Sequence, residues 1–272
     1  MKPELSIPSA NSATLTPTDT QGFMGAARHQ GGRSTQQDQV ICLTTPDRRR
    51  QFLVVADGVG GHSGGEMAAQ CVVDVAARVF PALLNQHPQP AEFLTNFCTL
   101  ANQEILARAA LVGSEAYSTV VALFTDPARA YWAHVGDSRL YGFKRGELMH
   151  QTRDHSLVQQ LFEQGKITAE DRATHPARNQ VQQVLGMDVT IKPTLGEMAL
   201  CDQCAFLLCS DGFWDQVSVD EMSLILGASD LAFATSVWVR QAARRGGTQG
   251  DNIALAVWRA PPKVVRRWSF FR

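Results

Sequence analysis

Apolar positions along this chain fall into short continuous runs, with longer helical stretches between them. Residues 52–56, FLVVA, have the length and character of a buried strand. The run ends on Asp57, and glycine then occupies positions 58, 60, 61, 64 and 65. From Glu66 onward Met67, Cys71, Val75 and Val79 recur at helical spacing, which predicts a helix over 66–80 that stops before Pro81. A carboxylate at the tip of a buried strand, followed by a backbone stripped of side chains, is the unit around which the chain is organised. Further strands are predicted over 22–27, 40–44, 51–56, 118–124, 129–135, 139–144, 195–200, 205–210 and 253–258, with Arg145-Gly146 as a hairpin turn. Helices are predicted over 91–111, 156–165 and 231–244. Strand runs flanked by helix pairs, without βαβ alternation, indicate an α+β protein built on antiparallel sheets.

The remaining segments set the domain limits. Residues 1–20 are rich in Ser, Thr and Pro and read as a flexible tail. One domain is expected over 21–260. Residues 166–189 read as a long polar surface excursion, a kind of segment that often carries function. Arg48, Arg49 and Arg50 read as a solvated loop, with substrate attraction the less favoured role. Residues 261–272 form an extension with a basic and aromatic end, read as a packing extension or a loose end, with contact to a partner or a membrane surface as the alternative.

Composition narrows the function classes. With 272 residues, 44% of them hydrophobic, the chain can bury a sizeable core in one domain. A formal net charge of −1 supplies no global field toward nucleic acid or membrane. No apolar run approaches the ~18 residues needed to span a bilayer, and the N-terminus lacks a signal-peptide layout. The expectation is a soluble, cytoplasmic monomer. Six cysteines are scattered along the chain. Cys201 and Cys204 form a lone C-x-x-C with no second C-x-x-C or His pair to complete a zinc site, so they read as structural or incidental, with a redox-sensitive pair as the alternative.

The candidate chemistry lies in the aspartates. A dinucleotide fingerprint starting at Gly58 would need glycine where Ser63 stands. A P-loop starting at Gly60 would need lysine where Glu66 stands. Asp57 would repel a bare phosphate, an objection that vanishes if it carries a divalent cation. Residues 206–212, FLLCSDG, repeat the design and end in Asp211-Gly212. Asp251 follows Gly250 just ahead of an apolar run, and Asp137 stands in a turn within HVGDSRL. One Asp-Gly alone is a turn; four such aspartates together suit an oxygen-ligand site for hard cations.

These residues fall into motifs: Arg33-x-x-x-x-Asp38, Asp57-Gly58-x-Gly60-Gly61-His62-x-x-Gly65-Glu66, Val135-Gly136-Asp137-Ser138-Arg139, Asp154-His155-Ser156, Ser210-Asp211-Gly212 and Asp251-Asn252. In content and order they resemble the metal-dependent Ser/Thr protein phosphatase family (type 2C), in its compact bacterial form. The resemblance implies a four-layer αββα sandwich, with two antiparallel sheets between helical layers, a metal site at one end and a flap over about 156–190. It implies Mn²⁺ or Mg²⁺: a first ion on Asp57, Asp211 and Asp251, a second on Asp57 and the carbonyl of Gly58 with Asp38, and a third, weaker one on Asp137 and Asp211. Arg33 matches the family's phosphate-binding arginine. The implied reaction is hydrolysis of phosphoserine or phosphothreonine on proteins by direct attack of a metal-bridging hydroxide, reversing a cognate Ser/Thr kinase. No cysteine sits in a C-x5-R loop, so a thiol nucleophile is unsupported.

Two departures from the family pattern stand out. Gln36-Gln37 replaces Asn-Glu, which removes a negative charge beside the metal water. Val59 stands where some members carry a histidine acid; His62 is the nearby imidazole, read as structural with a general-acid role as the alternative. A catalytically weak pseudophosphatase that binds phosphoproteins is the rival reading.

Overall fold

The computed structural model describes residues 14–15, 23–60, 64–81 and 89–261. Among the described residues, twelve strands form two sheets, and every pairing between them is antiparallel. The strands are β1 (Thr14–Leu15), β2 (Met24–His29), β3 (Asp38–Thr44), β4 (Gln51–Val59), β5 (Tyr117–Ser118), β6 (Val120–Thr125), β7 (Arg129–Val135), β8 (Arg139–Lys144), β9 (Glu147–Gln151), β10 (Thr194–Ala199), β11 (Cys204–Cys209) and β12 (Ile253–Arg259). One sheet runs β1-β2-β12-β11-β8-β9, the other β10-β7-β6-β4-β3, with β5 beside β4.

Helices α1 (Gly64–Val79) and α2 (Pro90–Val112) cover the second sheet. Helices α5 (Asp211–Trp214), α6 (Val219–Gly227) and α7 (Leu231–Gly246) cover the first. Between α2 and α5 lie the short helices α3 (Leu157–Glu163) and α4 (Ala169–Thr174). Leu53, Val55, Val121, Leu123, Phe206, Leu208, Ala254 and Ala256 fill the seam between the sheets. The layers are therefore helix, sheet, sheet, helix, as expected. Central strands bury both faces, which is why they read as unbroken apolar runs rather than alternating ones.

Several expectations need correction. Within the stretch read as a tail, Thr14–Leu15 pairs with β2, and the rest of residues 1–20 lies outside the described residues. The strand expected over 118–124 is two strands, β5 and β6. β9 went unpredicted because its five residues are polar, charged or exposed apolar. α6 also went unpredicted, although Ser218 and Glu221 form a reciprocal capping box at its start. The excursion over 166–189 is not wholly superficial: α4 lies within it, and Leu185 is fully buried against the core beneath α2. Cys201 and Cys204 are joined as a disulfide. His62 and residues 262–272 lie outside the described residues.

Candidate metal and phosphate site

At one end of the sandwich the apolar seam gives way to carboxylates. Along β4, Leu53 and Val55 face the seam while Phe52, Val54 and Ala56 face the helices, so the period of two turns Asp57 toward the seam. The same count leads from Val40 to Asp38 in β3 and from Leu208 to Ser210 after β11. Asp38 and Asp57 are direct cross-strand partners, a like-charge pairing that opposes sheet formation. Asp211 opens α5, Asp251 precedes β12, and Asp137 lies in the turn between β7 and β8.

The carboxylates act on one another. Asp38 is 1% exposed, and its Oδ2 accepts a hydrogen bond from Ser210 Oγ at 2.6 Å. Burial pushes Asp38 up to about 7 against the lowering pull of that bond, and the charge of Asp251 adds to the rise. Asp57 lies well above the usual carboxylate range through burial first, then through Asp38, Asp211, Asp137 and Asp251. Asp211 is raised in the same way, by burial and then by Asp137, Asp251 and Asp38. Asp137 rises to about 6 through burial and the neighbouring Asp154.

Among the described residues, no three His, Cys, Asp or Glu side chains close on one point as a finished cage. What the chain supplies is a set of oxygen donors in mutual repulsion. That donor chemistry fits a hard divalent cation, which would cancel the repulsion. Arg33 stands at the rim with its side chain 58% exposed and places Nη2 2.6 Å from Asp251 Oδ2.

The loops that carry these groups are tied down by polar residues whose roles sequence reasoning did not assign. Asn252 accepts from the Gln37 N–H at 2.8 Å and donates to the carbonyls of Gln30 and Thr35 at 2.8 and 2.9 Å. It thereby fixes the loop bearing Arg33 and leading to Asp38. Gln36 Oε1 accepts from the Asp38 N–H at 2.9 Å. The Asp57 carbonyl accepts from the Thr119 N–H at 2.8 Å and from Ser118 Oγ at 3.1 Å. Arg139 grips Asp154 through two bonds of 2.8 and 2.7 Å and lies 3.5 Å over the Trp214 ring. Trp214 Nε1 donates to the Asp137 carbonyl at 3.1 Å. Their signal in sequence was the polar residue where the seam-facing period calls for an apolar one, at Ser210 and Asn252. Val59, at the position of the possible leaving-group acid, is 41% exposed.

A model of the family described as "Protein phosphatase 2C" matches residues 25–249. The chain belongs to the protein phosphatase 2C family. Protein phosphatase PhpP of Streptococcus pneumoniae is 34% identical over 215 residues, which cover 76% of this chain and 85% of PhpP. The crystal structure of the Mycobacterium tuberculosis serine/threonine phosphatase PstP matches at TM-score 0.75 and 29% identity, over 88% of this chain and 98% of that one. A PstP catalytic domain in complex with two manganese ions matches at TM-score 0.73 and 27% identity, again over 88% and 98%. As a type 2C member, the chain is a protein phosphatase, an enzyme rather than a bare binding module, and its family is metal-dependent. Among the described residues, no helix is long and apolar enough to cross a membrane.

Proposed function

We propose that this phosphatase hydrolyses phosphoserine and phosphothreonine on proteins phosphorylated by a Ser/Thr kinase in the same cytoplasmic compartment, and that it acts as a monomer. The observation that supports the reading is the mutual charge effect among Asp38, Asp57, Asp137, Asp211 and Asp251, with the Arg33 guanidinium on Asp251. When bound, two divalent ions, Mn²⁺ or Mg²⁺, would lower the pKa of water between them and offset the charge of the phosphate. Asp57, Asp211 and Asp251 would hold the first ion. Asp57 and the Gly58 carbonyl would hold the second, with Asp38 beside it. Asp137 with Asp211 would hold a third, weaker one.

The chain's own residues do the rest. Arg33 takes two phosphate oxygens in its planar fork, exchanging Asp251 for the substrate. Ser210 holds one Asp38 oxygen in a hydrogen bond, and Asp38 also bonds Asp57 across the strands, so the pair is fixed side by side at the mouth of the seam. Asn252 holds the loop that sets the distance between Arg33 and the carboxylates. Water is the nucleophile and no side chain is phosphorylated on the way. Hydrolysis of a phosphothreonine peptide should need Mn²⁺ or Mg²⁺, stop in EDTA, and leave no labelled phosphoenzyme on rapid quenching. Metal-independent turnover, or a trapped phosphoprotein, would overturn the reading.

A further inference from the structure

The end of the sandwich away from the aspartates carries chemistry that hydrolysis does not use. β10 is an edge of one sheet and β11 a central strand of the other, so residues 200–203 form a crossover between the sheets. The crossover is tied to both: the Leu200 N–H donates to the Ala128 carbonyl at 2.7 Å, and the Arg145 N–H donates to the Gln203 carbonyl at 3.1 Å. Cys201 and Cys204 close this turn with a disulfide. Within it Gln203 has φ of +67°, a left-handed conformation that costs a side-chain-bearing residue energy. Asp211 lies past the far end of the six-residue β11, roughly 20 Å away at the usual strand rise.

We propose that Cys201–Cys204 is a reversible thiol–disulfide site, opened by a dithiol reductant attacking Cys201, and that it clamps the inter-sheet crossover independently of the catalytic end. The two sulfurs are unequal. Cys201 is half-buried and borders an open hollow of about 340 Å³ shared with Arg48, Arg49 and Asp126; Cys204 stands in the wall of another hollow, of about 740 Å³, but has no exposed surface. A thiolate therefore reaches Cys201 and expels Cys204. The Cys201 N–H points at Cys204 Sγ from 3.1 Å, a donor placed to stabilise the departing thiolate. The reductant's second thiol then attacks its own sulfur in the mixed disulfide and releases Cys201. Two electrons pass to the protein disulfide, the reductant leaves as a disulfide, and its two protons end on Cys201 and Cys204. Of the other four cysteines, Cys71, Cys98 and Cys209 are buried, and burial pushes Cys98 up to about 12 and raises Cys71 and Cys209; Cys42 is half-buried and stands apart in β3, with no disulfide partner.

Maleimide mass-tagging of the native full-length protein across a dithiothreitol series tests this. Two thiols should appear together with rising dithiothreitol, map to Cys201 and Cys204, and return to the disulfide on oxidation, while Cys71, Cys98 and Cys209 react only after denaturation and any labelling of Cys42 does not depend on dithiothreitol. The reduced form should melt at a lower temperature and keep its turnover. A Cys204→Ser protein should take up glutathione from glutathione disulfide at Cys201, and a Cys201→Ser protein should take up far less at Cys204. Six free thiols after incubation with glutathione disulfide, reduction that succeeds only in denaturant, or equal labelling of the two variants would overturn the proposal. If a variant fails to fold, the wild-type thiol count decides alone.

Discussion

The apolar runs of β4 and β11 both lead to an aspartate and a glycine, yet the chain takes a different course at each. After Asp57 the strand continues through Gly58 and Val59, pairing with β5. After Cys209 the chain turns into a helix that Asp211 itself opens. The Asp57 carbonyl is held by the Thr119 N–H and the Ser118 hydroxyl, the Asp211 carbonyl by the helical N–H of Asp215. What the two ends share is the glycine and the reason for it. A Cβ on Gly58 would lie 2.1 Å from the Gly65 carbonyl oxygen, and one on Gly212 would lie 2.1 Å from that of Asn252. The common motif thus encodes a close approach of two backbones behind a carboxylate, not a local fold.

Neutralising either carboxylate should have the largest effect. Asp57→Asn and Asp211→Asn should each lower turnover by more than the roughly 10–100-fold typical of a residue acting behind a metal ligand. A phosphopeptide assay at saturating Mn²⁺ checks this. An unequal outcome, with only one variant impaired, would break the equivalence of the two ends.

The glycines come next. Gly58→Ala and Gly212→Ala should each destabilise the fold by about 1–3 kcal/mol, since the contact in each case is backbone that must shift. Urea denaturation in EDTA measures this without metal. Gly212→Ala presses on the backbone that carries Asp251 and Asn252, so it should also loosen the loop bearing Arg33.

A smaller effect concerns pH. The folded-state pKa of Asp38, about 7, lies above its ordinary 3.8, so the folded protein keeps this proton longer than the unfolded chain. The metal-free protein should therefore be favoured by this group at low pH and lose that stability between about pH 4 and 7. Asp137, raised to about 6, adds in the same direction. Melting curves in EDTA should fall across this window, and saturating Mn²⁺ should flatten them. A metal-free profile that rises with pH there would contradict the uncompensated acidic field.

Arg33 should show the least effect on stability. Its ion pair with Asp251 is solvent-exposed, so Arg33→Ala should change stability by about 0–1 kcal/mol. The KM for phosphopeptide should rise more than kcat falls. Unchanged KM with weaker metal binding would move Arg33 from substrate to metal support.

Much of this was legible before folding. Buried strands announced themselves as apolar runs, and the Asp-Gly endings marked the site because a charged residue at the tip of such a run has a buried neighbourhood. The capping box at Ser218 was readable too, but the apolar run behind it is short. What stayed hidden depends on contacts distant in sequence. Asn252 reads as one polar residue beside Asp251, and only the fold brings Gln30, Thr35 and Gln37 to it. Ser210 reads as the residue before Asp211, and only the packing of two sheets places it on Asp38. β9 has too little apolar patterning to be seen without its partner β8.

The central claim is that Asp57 and Asp211, carried on unlike local structures, build one metal site. Calorimetric titration of metal-free protein with Mn²⁺ tests it most directly. The wild type should bind two ions tightly, Asp57→Asn should lose both because it serves both, and Asp211→Asn should lose one. Two tight ions retained by Asp57→Asn would contradict the account.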